Sequence, residues 1–136
     1  MKTARIIVAL LLTASLPTVS LAAGEMKEGL WELTTSMELP GMPMKMPPQV
    51  AKHCYTREEV SDQKKVISRD KECTVTDFTT TGNKVTWKMT CTGKNAGTFS
   101  GETVFKADSY VSNMKMQTQG QNMTMKVNAK RLGNCK

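Results

Sequence analysis

The chain has 136 residues, among them four cysteines, eleven methionines and one histidine, and its formal net charge is +7. Aromatic residues make up only 5% of it and the lysines are scattered. This excludes a typical nucleic-acid-binding face, which interleaves basic residues with exposed aromatics. A zinc site is also excluded, because the only histidine, His53, lies beside Cys54 and no CxxC pair is present.

Residues 1–22 have the features of a cleavable secretory signal peptide. Two basic residues precede the unbroken apolar run Ile6–Leu12, and the small residues Ser20 and Ala22 stand where a signal peptidase reads. The run is too short to span a hydrocarbon core of ~30 Å as a helix, so we expect no transmembrane anchor. The sequence therefore predicts one exported, monomeric domain over residues 23–136.

The first predicted element of this domain is a strand over residues 29–39. Apolar side chains alternate there with Glu, Thr and Ser, which is the pattern of a half-buried strand. Pro40 and Gly41 end it. Residues 40–48 hold four prolines, which remove backbone donors and predict an extended loop.

A short helix follows in the prediction. The segment Val50–Tyr55 is compatible with an extended conformation. Thr56 and Glu59 then form a capping box, in which the threonine hydroxyl and the glutamate satisfy each other's backbone amides. We expect one brief helix over residues 57–63, followed by a solvated charged connection over residues 62–70.

The remainder of the chain predicts five strands separated by turns. Their expected ranges are residues 72–80, 84–92, 98–106, 110–118 and 122–131. Each strand is apolar on one face and rich in Lys, Thr or Asn on the other. Gly101 is expected to mark a bulge or bend. The fold prediction is mainly β: a curved antiparallel meander sheet of about six strands, a partial barrel, with one short helix.

The four cysteines predict two disulfides, because an even number of cysteines in a small exported domain is typical of bridges. In a symmetric hairpin around Gly82, paired residue numbers sum to about 164, which places Cys73 opposite Cys91. Cys135 follows the last strand and falls at the opposite rim from that pair. This favours Cys73–Cys91 with Cys54–Cys135 over the other two connectivities.

The sequence resembles a family of bacterial secreted proteins that is known only as a domain of unknown function. The resemblance covers essentially the whole mature chain. The motifs that carry it are Gly29-Leu30-Trp31, the Met-Pro-rich loop Pro40–Pro48, Cys54 with Thr56, Cys73, Trp87, Cys91 and Arg131-Leu132-Gly133-Asn134-Cys135. The resemblance implies a periplasmic or secreted protein of a Gram-negative bacterium, and it implies no activity.

Methionine is the compositional outlier, and it has three readings. Across the Gln119-Gly120 turn, paired residue numbers should sum to 239, which joins Met116 to Met123 and Met114 to Met125. Core packing is the favoured reading for these strand methionines, since Met fills irregular apolar space. The loop methionines Met42, Met44 and Met46 suit a soft metal such as Cu(I) or Ag(I). The third reading is a loop that covers an apolar groove.

The predicted function is that of a non-enzymatic binding domain without a resident cofactor. It would engage an unidentified apolar ligand or protein partner through its Met-rich face. The candidate ligand-binding residues are Trp31, Trp87, Met114, Met116, Met123 and Met125. The alternative is a periplasmic Cu(I)/Ag(I)-binding protein that uses Met42, Met44 and Met46. No catalytic residue is predicted. His53 could act as a base only for the adjacent Cys54, and a cysteine in a disulfide is not available as a nucleophile.

Overall fold

The computed structural model describes residues 25–42 and 46–136. The predicted signal peptide, residues 1–22, and the loop residue Met44 lie outside the described residues. Within the described ranges, no helix has both the length and the apolar character needed to cross a membrane.

The domain is built on one antiparallel sheet of seven strands. The strands are β1 (Gly29–Glu38), β2 (Gln49–Tyr55), β3 (Cys73–Thr81), β4 (Lys84–Cys91), β5 (Gly97–Phe105), β6 (Ser109–Thr118) and β7 (Gln121–Gly133). Their order across the sheet is β2-β1-β7-β6-β5-β4-β3. The mainly β prediction is therefore confirmed. The sheet is open, with β2 and β3 as its edges, and does not close into a barrel.

Two helices, and not one, lie between β2 and β3. The first, α1 (Arg57–Ser61), begins at the predicted capping box on Thr56. The second, α2 (Gln63–Ile67), occupies the stretch expected to be a solvated connection. Asp62 separates the helices and caps α2, because its carboxylate accepts a hydrogen bond from the Lys64 amide. The prediction missed this helix because most of the stretch is charged. Its apolar residue Val66 is buried against the sheet.

One face of the sheet forms the hydrophobic core. The alternation is clearest in β4, where Val85, Trp87, Met89 and Cys91 are buried and the residues between them are exposed. Rings from four other segments complete the core, namely Trp31, Tyr55, Phe99, Phe105 and Tyr110. Val60, Val66 and Ile67 of the helical segment pack against this face. The helices thus cover an apolar surface that a single-layer sheet would leave in water.

The β3–β4 hairpin reaches the predicted cysteine pairing by a route that the sequence did not indicate. Its loop is Gly82-Asn83, and near this loop paired residues sum to 165, as in Phe78 opposite Trp87. Continued unchanged, this register would place Cys73 opposite Thr92. Thr76 is left unpaired as a bulge, which shifts the register by one residue and brings Cys73 opposite Cys91.

The two disulfides each hold one edge strand of the sheet. Cys73 of the edge strand β3 is joined to Cys91 of its neighbour β4. Cys54 of the other edge strand, β2, is joined to Cys135, just beyond the end of β7. Cys54 pairs with Leu30 of β1 in the sheet, so this second bridge crosses over β1. The favoured connectivity is the one that the structure contains.

Gly101 does not mark a bulge. The pairing of β5 with β4 and with β6 continues through Gly101 without a shift of register. A Cβ atom at this position would lie 3.1 Å from Cζ2 of the Trp87 ring and would also collide with the Asn113 carbonyl oxygen. Glycine stands here because an aromatic ring and a neighbouring backbone approach closely.

Candidate functional site

A cavity of about 180 Å³ lies between α2 and the apolar face of the sheet, and we call it the helix–sheet cavity. Its roof is formed by Val66 and Ile67, and exposed Arg69 lies at its edge. The sheet supplies its floor and walls, namely Leu33, Thr35, Tyr55, Trp87, Thr103, Phe105, Tyr110, Ser112, Met114 and Val127. The cavity thus has mostly apolar walls and a small set of hydroxyl groups.

Two hydroxyl pairs give the helix–sheet cavity its polar character. The Tyr55 and Tyr110 hydroxyl oxygens lie 3.0 Å apart. The Trp87 indole donates to Thr103 Oγ1 over 3.1 Å, and this oxygen lies 2.8 Å from Ser112 Oγ. Within the described chain, no buried side-chain nitrogen or oxygen lacks a hydrogen-bond partner. These four hydroxyl groups are therefore held in place by their hydrogen bonds with one another and with the Trp87 indole.

Both tyrosines stay protonated at neutral pH. Burial raises the pKa of Tyr110 far above its usual value, and the nearby Tyr55 raises it further. Burial also raises the pKa of Tyr55, although its hydrogen bond with Tyr110 opposes this shift. Each hydroxyl therefore acts as a neutral hydrogen-bonding group and not as a base.

The structure brings four of the predicted ligand-binding residues together as a methionine quartet. Met114 pairs with Met125 and Met116 pairs with Met123, as the sum of 239 predicted. Three members, Met114, Met116 and Met125, pack against the core, and Met123 is half-buried beside them. This arrangement fits the packing reading of the strand methionines. Only Met114 of the quartet reaches the helix–sheet cavity.

The two predicted tryptophans have different positions. Trp87 lines the helix–sheet cavity. Trp31 is fully buried, donates a hydrogen bond to the Lys27 carbonyl and contacts the rings of Tyr55 and Tyr110. Trp31 therefore supports the tyrosine pair from behind and does not line the cavity.

The loop methionines are separate from both features. Met42 is 64% exposed and Met46 is 43% exposed, so neither thioether is used in packing. Among residues 25–42 and 46–136, no group of three or more His, Cys, Asp or Glu side chains is arranged to hold a metal ion.

The motifs at the two ends of the domain meet in what we call the terminal clasp. The Arg131 guanidinium crosses the backbone at Gly29, where a Cβ atom would lie 2.8 Å from Arg131 Nε. It donates hydrogen bonds to the Glu28 carbonyl and to Asn134 Oδ1, each with a length of 2.8 Å. Gly29 and Gly133 both have positive φ angles, 139° and 156°. These motif residues join the start of β1 to the end of β7.

The opposite face of the sheet carries a second concave surface that sequence reasoning missed, the polar groove. Its volume is about 960 Å³ and it extends from β1 to β3. Its lining side chains are mostly Ser, Thr, Asn, Lys and acids that alternate with the core residues. The alternation of polar residues was visible in the sequence. The twist that makes this face concave was not, because it arises from all seven strands together.

Comparison with known proteins identifies the family of this chain. The family model described as a protein of unknown function, DUF3617, matches residues 26–135. The chain therefore belongs to the DUF3617 family. No curated protein and no solved structure matches it.

Proposed function

We propose that this DUF3617 protein is an exported, non-enzymatic domain that binds a small, mainly apolar ligand in the helix–sheet cavity. The observation that carries the proposal is the cavity of about 180 Å³ between α2 and the sheet. Its size is comparable to a dry protein cavity of about 150 Å³ that binds benzene. A periplasmic or secreted location fits the two disulfides that the fold contains.

The chemistry of the walls narrows the ligand class. Val66, Phe105 and Val127 offer apolar contact, and Met114 adapts to irregular shapes. The tyrosine pair offers a hydroxyl group to one polar atom of the ligand. We therefore expect a compact ring or short branched chain that carries a single hydrogen-bonding group.

The same walls support a binding role over catalysis. Arg69 is the only charged residue among those that line the helix–sheet cavity. Both tyrosines have raised pKa values and remain neutral, so the cavity offers no general base at neutral pH.

The test is a titration of the exported, oxidised protein with indole and with toluene, in which amide chemical shifts report binding. We expect saturable shifts centred on Phe105, Tyr110 and Val127. Val66→Phe should fill the cavity from the helical side and abolish them. Val50→Phe is the matched control, because Val50 is 61% exposed on β2. The proposal would be contradicted if saturating toluene caused no chemical shift changes in the folded protein, or if the Val66→Phe variant bound as well as the unmodified protein.

The alternative function is Cu(I) or Ag(I) binding by the loop. It is favoured by the exposure of Met42 and Met46, since packing gives no reason for exposed thioethers. Ag(I) titration by calorimetry tests it. Replacing Met42, Met44 and Met46 with leucine should remove the binding, whereas Met123→Leu should leave it unchanged. Loss in the Met123→Leu variant alone, or no binding tighter than that of a free Met peptide, would exclude the loop site.

A further inference from the structure

The polar groove contains three lysines that form no ion pair within 4.0 Å among the described residues. Lys88, Lys115 and Lys126 line it. The ion pairs of the described residues involve other lysines and His53. Glu102, which lines the groove, pairs with Lys84 and not with a groove lysine. All three ammonium groups thus remain available to a ligand.

The register of the sheet places two of these lysines around one hydroxyl group. Ser100 of β5 lies opposite Lys88 on β4 and opposite Lys115 on β6. The two lysine backbones are therefore two strand spacings apart, about 10 Å. Since a lysine side chain is long and flexible, both ammonium groups are able to converge on one anion above Ser100. We call Lys88, Ser100 and Lys115 the anion cradle.

Neutral hydrogen-bonding groups surround the anion cradle. Thr124 is paired with Lys115, and Asn113 is paired with Lys126 in the next row. Thr86 completes the same part of the lining. Hydroxyl and amide side chains of this kind exchange hydrogen bonds with the hydroxyl groups of a sugar chain.

Two acids of the groove lie at its ends, and the third, Glu102, lies two residues from Ser100 on β5 and pairs with Lys84. The row that contains the cradle begins with Glu38 on β1 and ends with Asp77 on β3. Asp77 lies opposite Lys88 on the side away from Ser100. Lys84 offsets the charge of Glu102, which leaves Lys88 and Lys115 to attract an anion at the cradle, and the acids at the two ends restrict where an anionic group binds.

We propose that the polar groove binds an acidic polysaccharide, with one anionic substituent in the anion cradle. Charge complementarity at the cradle selects the anion, and the surrounding hydroxyls and amides select a sugar backbone. A nucleic acid is disfavoured, because the only aromatic residue in the lining, Trp87, is 3% exposed and cannot stack on a base. A peptide strand would pair with a sheet edge, and this groove lies on a face.

The test measures binding of fluorescein-labelled polygalacturonate, heparin, dextran and poly-L-glutamate to the exported, oxidised protein. The first two probes separate carboxylate from sulfate as the preferred anion. We expect one or both to bind and dextran not to bind. Binding of neither, or binding of poly-L-glutamate as tight as that of the glycans, would overturn the proposal.

Matched variants separate the cradle from net charge. The double variant Lys88→Gln/Lys115→Gln should weaken glycan binding about tenfold, as expected for the loss of charge-assisted contacts. Lys71→Gln/Lys106→Gln removes the same charge from exposed turns outside the groove and should change affinity by less than about twofold. Asp77→Asn should tighten binding. Equal losses in the two double variants, or weaker binding by Asp77→Asn, would overturn the cradle.

Discussion

The Trp87 ring lies directly over Gly101, so that a Cβ atom at Gly101 would be 3.1 Å from Trp87 Cζ2. The same Trp87 donates a hydrogen bond to Thr103, two residues along β5. The glycine therefore sets the position of an indole that lines the helix–sheet cavity.

We expect Gly101→Ala to lower the free energy of unfolding by about 1–3 kcal/mol, the usual cost of overpacking. Urea unfolding of the oxidised protein measures it. In a Trp87→Phe background the cost should be smaller, because the smaller ring relieves part of the clash. An undiminished cost in that background would assign the clash to the Asn113 carbonyl alone.

Arg131 in the terminal clasp should matter far more than the lysine beside it. Arg131→Ala removes two hydrogen bonds from a charged donor and should cost about 1.5–3 kcal/mol or more. Lys130→Ala removes the same charge, but Lys130 is 66% exposed and pairs with Glu32 at the surface, so about 0–1 kcal/mol is expected. Parallel urea unfolding curves compare the two. Equal losses would show that the clasp contributes charge alone.

The two disulfides should differ in their contribution to stability. The Cys54–Cys135 bridge closes a separation of 81 residues and the Cys73–Cys91 bridge one of 18. Chain entropy then predicts about 4.5 kcal/mol for the longer loop and about 3 kcal/mol for the shorter one. Unfolding of the paired Cys→Ala variants tests this order, and a larger loss on removing Cys73–Cys91 would reverse it.

The capping box should make stability depend on acid pH. Hydrogen bonds from the Thr56 amide and hydroxyl hold the pKa of Glu59 below its usual value of 4.5. Because the folded state binds this proton less readily, the contribution of the carboxylate is complete above the usual pKa and is lost as the pH falls through the lowered folded-state pKa.

Glu59→Gln should therefore lose less stability than the unmodified protein between about pH 6 and about pH 3. Chemical unfolding at the two pH values gives the comparison. Glu38→Gln serves as the control, since Glu38 is exposed and forms no ion pair with the described residues. An identical loss in the Glu59→Gln variant and the unmodified protein would show that the cap does not couple to pH.

Methionine oxidation should follow exposure. Met42 and Met46 are 64% and 43% exposed, whereas Met26 and Met89 are 5% and 8% exposed. Under limited hydrogen peroxide we expect sulfoxide first on the two loop residues, because access to the thioether limits the reaction. Peptide mass spectrometry after timed quenching gives the order. Early oxidation of Met89 would mean that the sheet face opens in solution.

The strands were predictable because their alternation is local, and the cysteine pairing was only partly so. Val85, Trp87, Met89 and Cys91 follow the period of two so regularly that both faces of β4 can be read from the residues alone. The Thr76 bulge could not be read in this way, because nothing in its neighbourhood distinguishes it from the next threonine. The predicted register, in which paired residue numbers sum to 164, was right for Cys73 and Cys91. It was wrong for the residues next to the turn, whose numbers sum to 165.

The missed helix α2 and the partly foreseen edge strand β2 share a different cause. α2 has two apolar residues, Val66 and Ile67, among charged ones, and only the sheet beneath them makes its burial favourable. β2 is mostly exposed and gains its order from pairing with β1 and from Cys54. The helix–sheet cavity and the polar groove arise from side chains and strands distant in sequence. Tertiary context therefore decided what local propensity left open.

The placement of the two bridges also predicts how the domain responds to mechanical force. When an antiparallel sheet is pulled from its edge, its hydrogen bonds break one pair after another, and this sequential rupture requires little force. Here both edge strands are fastened, β3 by Cys73 and β2 by Cys54. Peeling from either side is stopped at a covalent bond, so the oxidised domain should resist extension from its edges and the reduced one should unzip.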